Sequence, residues 1–191
     1  MVLNETDRKT RDERLSQLVK YCMISGALDL NLYAEYDVKR GLRESDGKGV
    51  LTGLTEISDV TGFKTIQGEK VPCEGELYYQ GYNVMDLKKG FKQRRFNFEE
   101  VTYLLLFGAL PDKQQLREFI DLLNQYRELP SKFVRDVIMK APSLNIMNAL
   151  QRSVLTLYSY DENPDDISIE NVLRQALTLI ATMPLTSVYA Y

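Results

Sequence analysis

The chain has 191 residues, 44% hydrophobic and 27% charged, which suffices for one globular domain with an extension. Its 24 basic and 27 acidic residues leave a net charge of −3, a balance that disfavours a general binder of nucleic-acid backbones. It contains no histidine, so His-based triads, His-ligated zinc sites and His proton relays are excluded within these residues.

Other motifs are as sparse. The basic clusters at Lys39-Arg40 and at Lys92, Arg94 and Arg95 are short enough to be solvated surface. Cys22 and Cys73 lack CxxC spacing and are expected to be reduced thiols rather than a disulfide or metal site. No phosphate-binding glycine loop is present, and no metal site is expected. The opening "MVLNETDRKTRDERL" is charged, unlike a signal peptide, and no apolar run approaches the ~20 residues of a membrane span. A cytoplasmic protein is the expectation.

In chain order, Leu15, Leu18, Val19 and Cys22 recur at helical spacing and predict an amphipathic helix with one narrow apolar stripe. Residues 1–40 are read as a helical arm and 41–191 as the main body. From about residue 41 to 75 the composition turns to glycine, threonine and alternation. This predicts a short strand in "VLTGLTEISDVTG" ending in a turn at Thr61-Gly62, a loop through "FKTIQGEKVPCEG", and a second strand at "ELYYQGY". Gly75 and Gly81 are expected to bound that second strand. Its tyrosines are read as shape rather than chemistry, with their hydroxyls at the rim.

The rest reads as helix. "NVMDLKKG" is a short helix capped by Asn83 and stopped by Gly90. The next is expected to have Asn97 as N-cap, with Glu100 completing a capping box, and to end at Gly108 before Pro111. Leu116, Phe119, Ile120 and Leu123 mark a third helix, from Asp112 to a stop before Pro130, and "SKFVRDVIMKAP" a short fourth. Two longer helices follow, around the polar turn "DENPDD". Both are apolar on more than one face, which predicts burial on several sides. Pro184 is expected to kink the last one without ending it. That helix has no C-cap glycine or trailing linker before Tyr191, so the chain is read as ending inside an element.

With these residues in view, the chain resembles the citrate synthase family. "GELYYQGYNVMDL", "FNFEEVTYLLLFGALP", "RELP" and "LIATMP" with a later tyrosine follow that family's order and spacing over about residues 40–191. The resemblance implies a mainly α fold: part of a multi-helical large domain with a small two-stranded β element near the N-terminus. It implies a homodimer joined through residues 143–159 and 168–191. It also implies that acetyl-CoA or propionyl-CoA is condensed with oxaloacetate, with no further cofactor, to give citrate or methylcitrate.

In that family an aspartate, two histidines and carboxylate-clamping arginines do the chemistry, and the resemblance places all of them beyond Tyr191. No catalytic residue is therefore expected in this chain. "RGLR" matches a glycine-flanked arginine that contacts CoA phosphates, which makes Arg43 the one ligand candidate. A second CoA-contacting arginine would fall near Asp166 to Ser168, where none stands. "LNIM" (144–147) replaces the family's L-H-P-M, with Asn145 in a position to cap as a neutral histidine would. The rival expectation is a non-enzymatic, oligomerising helical scaffold.

Overall fold

The structure is a computed structural model, and it describes residues 5–38, 50, 53–91 and 95–191. Arg43 lies outside the described residues, as does the start of the first expected strand. Two compact units are present. The first comprises residues 1–20 and 113–191, the second residues 21–112.

The first unit is helical. It takes most of helix α1 (Glu5–Ser25), then α5 (Lys113–Tyr126), a π-helical turn at Val134–Ile138, α6 (Ile146–Tyr158) and α7 (Ile169–Ala190). Helix α7 packs against α5, α6 and the π-helical turn. Phe119, Leu122 and Leu123 of α5, Phe133 before the π-helical turn, and Leu173, Leu177 and Ala181 of α7 are buried. Each fully buried leucine or phenylalanine stabilises by about 1.5–3 kcal/mol relative to exposure. The expected fourth helix is this π-helical turn, where Phe133 meets Tyr160 edge to face with ring centroids 5.7 Å apart.

Helix α7 continues through Pro184, as its sequence predicts. Proline cannot donate to the carbonyl four residues back. On the same helix Thr178, Thr182 and Thr186 each turn a hydroxyl back to the carbonyl four residues earlier, so the buried hydroxyls of Thr182 and Thr186 are satisfied locally. Asn145 caps α6 by accepting from Asn148 N at 3.1 Å, and Ser168 caps α7 by accepting from Asn171 N at 3.3 Å.

The second unit holds the last turn of α1, a short helix α2 (Asn31–Glu35), the sheet, α3 (Val84–Gly90) and α4 (Asn97–Phe107). The sheet corrects the expected strands. Strand β1 (Ser58–Ile66) runs through Thr61-Gly62 instead of turning there, and the expected loop is the rest of β1 and the start of β2 (Glu69–Tyr79). A two-residue strand β3 (Tyr82–Asn83) pairs with the end of β2, giving three antiparallel strands.

Both hairpin turns are Gln-Gly dipeptides with positive φ at each position: 51° and 86° at Gln67-Gly68, 48° and 79° at Gln80-Gly81. That is the turn chemistry two-residue hairpins require. Gly81 does bound a strand; Gly75 sits inside one, beside a register shift opposite Thr61 to Phe63. Because β1 is exposed or half-exposed along its whole length, it carries no inward/outward alternation for the sequence to reveal.

Asn83 caps α3 as expected, accepting from Met85 N at 2.8 Å. Asn97 does not cap α4. The preceding Phe96 occupies the cap position with φ 72°, and Asn97 instead donates its side-chain amide to Phe91 O at 3.3 Å. The amide thus ties back to the end of α3, which removes it from the capping role. Gly108 ends α4 at φ 80°. A Cβ added there would meet Ser25 Cβ at 2.9 Å, where Cys22 and Ser25 of α1 both donate to Leu106 O at 3.5 Å.

Gly108→Ala is therefore expected to lower the unfolding free energy by about 1–3 kcal/mol, through left-handed strain and the Ser25 contact together. Gly75→Ala, open to solvent, should change it by less than ~0.5 kcal/mol. Paired urea melts measure the difference.

Candidate functional site

The tyrosine strand comes first, because the sequence drew attention to it. Tyr78 donates its hydroxyl to Glu76 at 2.8 Å, and Lys64 from the facing strand reaches the same carboxylate at 3.3 Å. The Tyr78 hydroxyl, then Lys64, hold the Glu76 carboxyl below its ordinary range, and Glu76 holds the Lys64 ammonium above its own. The group is a cross-strand clasp on an exposed hairpin, worth little in stability because solvent screens it.

The most elaborate polar arrangement lies in the first unit, where a cleft of about 880 Å³ opens between α1, the end of α5, residues 159–168 and the first turns of α7. Its wall is built by the polar turn that the sequence marked only as a separator. Arg174 grips Asp161 with one guanidinium nitrogen at 2.6 and 2.8 Å from the two carboxylate oxygens, and also donates to Asn171 Oδ1. Gln175 donates to Asp161 and to Pro164 O, both at 3.1 Å. Asn171 completes the wall by donating to the carbonyls of Asn163 at 2.8 Å and Asp166 at 2.7 Å.

Burial by itself would push the Asp161 carboxyl up. The donations from Asn163 N, Gln175 and Arg174 outweigh that and hold it below its ordinary value. Three residues at i, i+3 and i+4 on a helix otherwise rich in Leu, Ile and Ala were the available sequence signal: Asn171, Arg174 and Gln175.

Arg11 lies on the opposite wall with its guanidinium 5.5 Å from the centroid of the Tyr126 ring, while also donating to Asp12. Burial pushes the Tyr126 phenol up, against the opposing pull of Arg11. The expected gap in the family pattern near Asp166 to Ser168 has a structural occupant. Asp166 accepts from both Ser168 N and Ser168 Oγ, and Ser168 caps α7, so these side chains are committed to starting a helix. Among the described residues, no group of three or more acidic, cysteine or histidine side chains is placed to hold a metal ion. No helix is long and apolar enough to cross a membrane, again among the described residues.

Comparison with known proteins places these elements. The family described as "Citrate synthase, C-terminal domain" matches residues 42–191. A 2-methylcitrate synthase of Corynebacterium glutamicum is 28% identical, the match covering 80% of this chain and 35% of that protein. A citrate synthase of Haloferax volcanii is 33% identical over 78% of this chain and 35% of its own length. Among solved structures, the citrate synthase from Pyrobaculum aerophilum superposes with a TM-score of 0.57 at 29% identity, covering 78% of this chain and 37% of that one. The chain thus spans about a third of the length of the relatives it matches.

Acid titration tests the Asp161 assembly. A carboxyl lowered in the folded state stabilises fully above its ordinary value and stops doing so as pH falls through the lowered one. Stability in urea melts should therefore fall below about pH 4. Asp161→Asn should lose about 1–3 kcal/mol at pH 7 and decline less steeply in acid. Parallel acid slopes for the two proteins would refute the assignment.

Proposed function

The chain belongs to the citrate synthase family, and from that premise we propose that it is the amino-terminal portion of the large domain of an enzyme that condenses acetyl-CoA or propionyl-CoA with oxaloacetate. The observation that carries this reading is a family match over residues 42–191 combined with coverage of only about a third of the relatives. The reaction requires a base to remove a proton next to the thioester carbonyl, and donors to hold the enolate and the oxaloacetate carbonyl. A chain without histidine lacks the usual donor for both carbonyl oxygens, and Asp161 and Asp166 beside the cleft are committed to structure. By itself the 191-residue chain is inactive. Its contribution is to build the helical body on which the reacting residues of a longer protein rest, with Arg43 reaching the phosphates of CoA.

The second contribution is association. Met147 and Leu155 on α6 and Val172, Val188 and Tyr189 on α7 are exposed, with Leu155 and Val188 at 73% and 74%. Scattered apolar residues are ordinary on a surface, but these are concentrated on two helices that already carry buried residues of the unit. The proposed partner is a second copy, joined through residues 143–159 and 168–191. A scaffold with no chemistry of its own is the alternative; the absence of histidine favours it, and the same association would serve it.

Thiol release from acetyl-CoA with oxaloacetate separates the two readings. The 191-residue chain should release none, and a gene product extending into a histidine-containing segment should turn over. If the extended product is inactive with both acyl-CoA substrates, the scaffold reading replaces the enzyme. Association is tested separately by light scattering at micromolar concentration, where the chain should be a dimer and Val188→Glu should shift it toward monomer. A monodisperse wild-type monomer would overturn the interface.

A further inference from the structure

Helix α1 is held on the first unit differently from the other helices. Helices α5 and α6 and the π-helical turn each pack along α7, whereas α1 packs along no other element among the described residues. Over residues 8–20 its one buried side chain is Leu15, with Leu18 and Val19 half-buried. A second hold is the Arg11 guanidinium, 5.5 Å from the centroid of the Tyr126 ring on α5. Nine of the residues at 5–20 are charged, so the helix lacks the broad apolar face that docks an ordinary surface helix. Most helical stability in a protein comes from such packing, so releasing α1 also frays it.

Charge supplies the rest of the hold. The cleft wall opposite α1 carries five carboxylates and a single arginine, Arg174, while α1 brings Arg8 and Arg11 with one carboxylate, Asp12. The two walls therefore carry opposite net charge and attract each other across an open cleft. Attraction of this kind weakens with salt. The screening length falls from about 30 Å at 0.01 M to about 10 Å at 0.1 M and about 3 Å at 1 M.

We propose that residues 8–20 of α1 form an electrostatically held strap across the cleft, which lifts and re-docks while the helices around α7 stay folded, and lifts more as ionic strength rises. Lifting withdraws Arg11 from the Tyr126 ring and Leu15 from its buried position, and opens the head of α7 to solvent. Helix α5 has no such freedom, because its buried Phe119, Leu122 and Leu123 tie its opening to that of the core. The device is independent of the condensation reaction proposed above.

Hydrogen–deuterium exchange of the 191-residue chain, read peptide by peptide, tests the strap. At about 0.02 M salt the amides of residues 12–20 should exchange roughly tenfold or more faster than those of residues 173–181. Raising the salt to about 0.5 M should widen that gap by roughly threefold or more. Arg11→Gln should raise the low-salt rate in residues 12–20 by roughly fivefold and flatten its salt dependence. Lys9→Gln removes the same charge from a part of α1 that does not line the cleft, and should change the rate by less than about twofold. Exchange in α7 reports in every sample that the unit has stayed folded. Three results would each overturn the strap: exchange of α1 and α7 in step, a gap unchanged by salt, or equal effects of Arg11→Gln and Lys9→Gln. The first would make α1 part of the core, and the third would trace the opening to the helix alone rather than to the cleft.

Discussion

Helix α7 is the element on which the first unit depends, because α5, α6 and the π-helical turn all pack against it. Its buried line of Leu173, Leu177 and Ala181 recurs every four residues, the spacing that keeps one face of a helix turned inward. Such a helix must be started in the right place, since a shift of one residue rotates that face by about 100°. The start is fastened by the cap at Ser168 and by Asn171, Arg174 and Gln175, which bind the 159–168 turn through Asp161 and three backbone carbonyls. Polar residues at the head of the helix thus set the phase of the apolar residues further along.

Proline at 184 could have ended α7 two turns early. It does not: the helix runs on to Ala190. Threonine in a helix commonly competes with the backbone for hydrogen bonds. Here Thr178, Thr182 and Thr186 direct that competition into the helix itself, each bonding the carbonyl a turn earlier. Two of the three are buried, yet present no unsatisfied hydroxyl to their neighbours.

The helices were legible because helical signals are local. Asn83 and Asn145 were readable as caps from their position before an apolar run, and Gly108 as a stop. Asn97 misled because nothing in its neighbourhood states that Phe96 will take a left-handed conformation and that the Asn97 amide will be drawn to Phe91 O. The hairpin was misread for a different reason. Strand reading relies on one buried face, and β1 has none. The surer signal was the repeated Gln-Gly dipeptide, which turns the chain at 67–68 as it does at 80–81. The site was less legible still. Arg43 lies outside the described residues, and the cleft is assembled from residues more than a hundred positions apart, such as Arg11 and Tyr126. No periodicity connects them.

What the sequence did carry was the family, and the motifs that resemble it fall on buried and backbone-constrained positions. The motif "FNFEEVTYLLLFGALP" spans the buried Tyr103, Leu104 and Phe107 and the obligate glycine at 108. The "LIATMP" stretch contains Ala181 from the buried line of α7, the buried Thr182 and Pro184 inside the helix. These residues are constrained by packing and backbone geometry, neither of which tolerates a change of size or φ. Exposed apolar residues on the same helices, such as Leu155 and Val188, face no such constraint within one copy of the chain. If a second copy covers them, they acquire one. The burial of α7 along Leu173, Leu177 and Ala181 and the proposed association through its exposed apolar residues then draw on one property, an apolar surface larger than one copy of the chain covers.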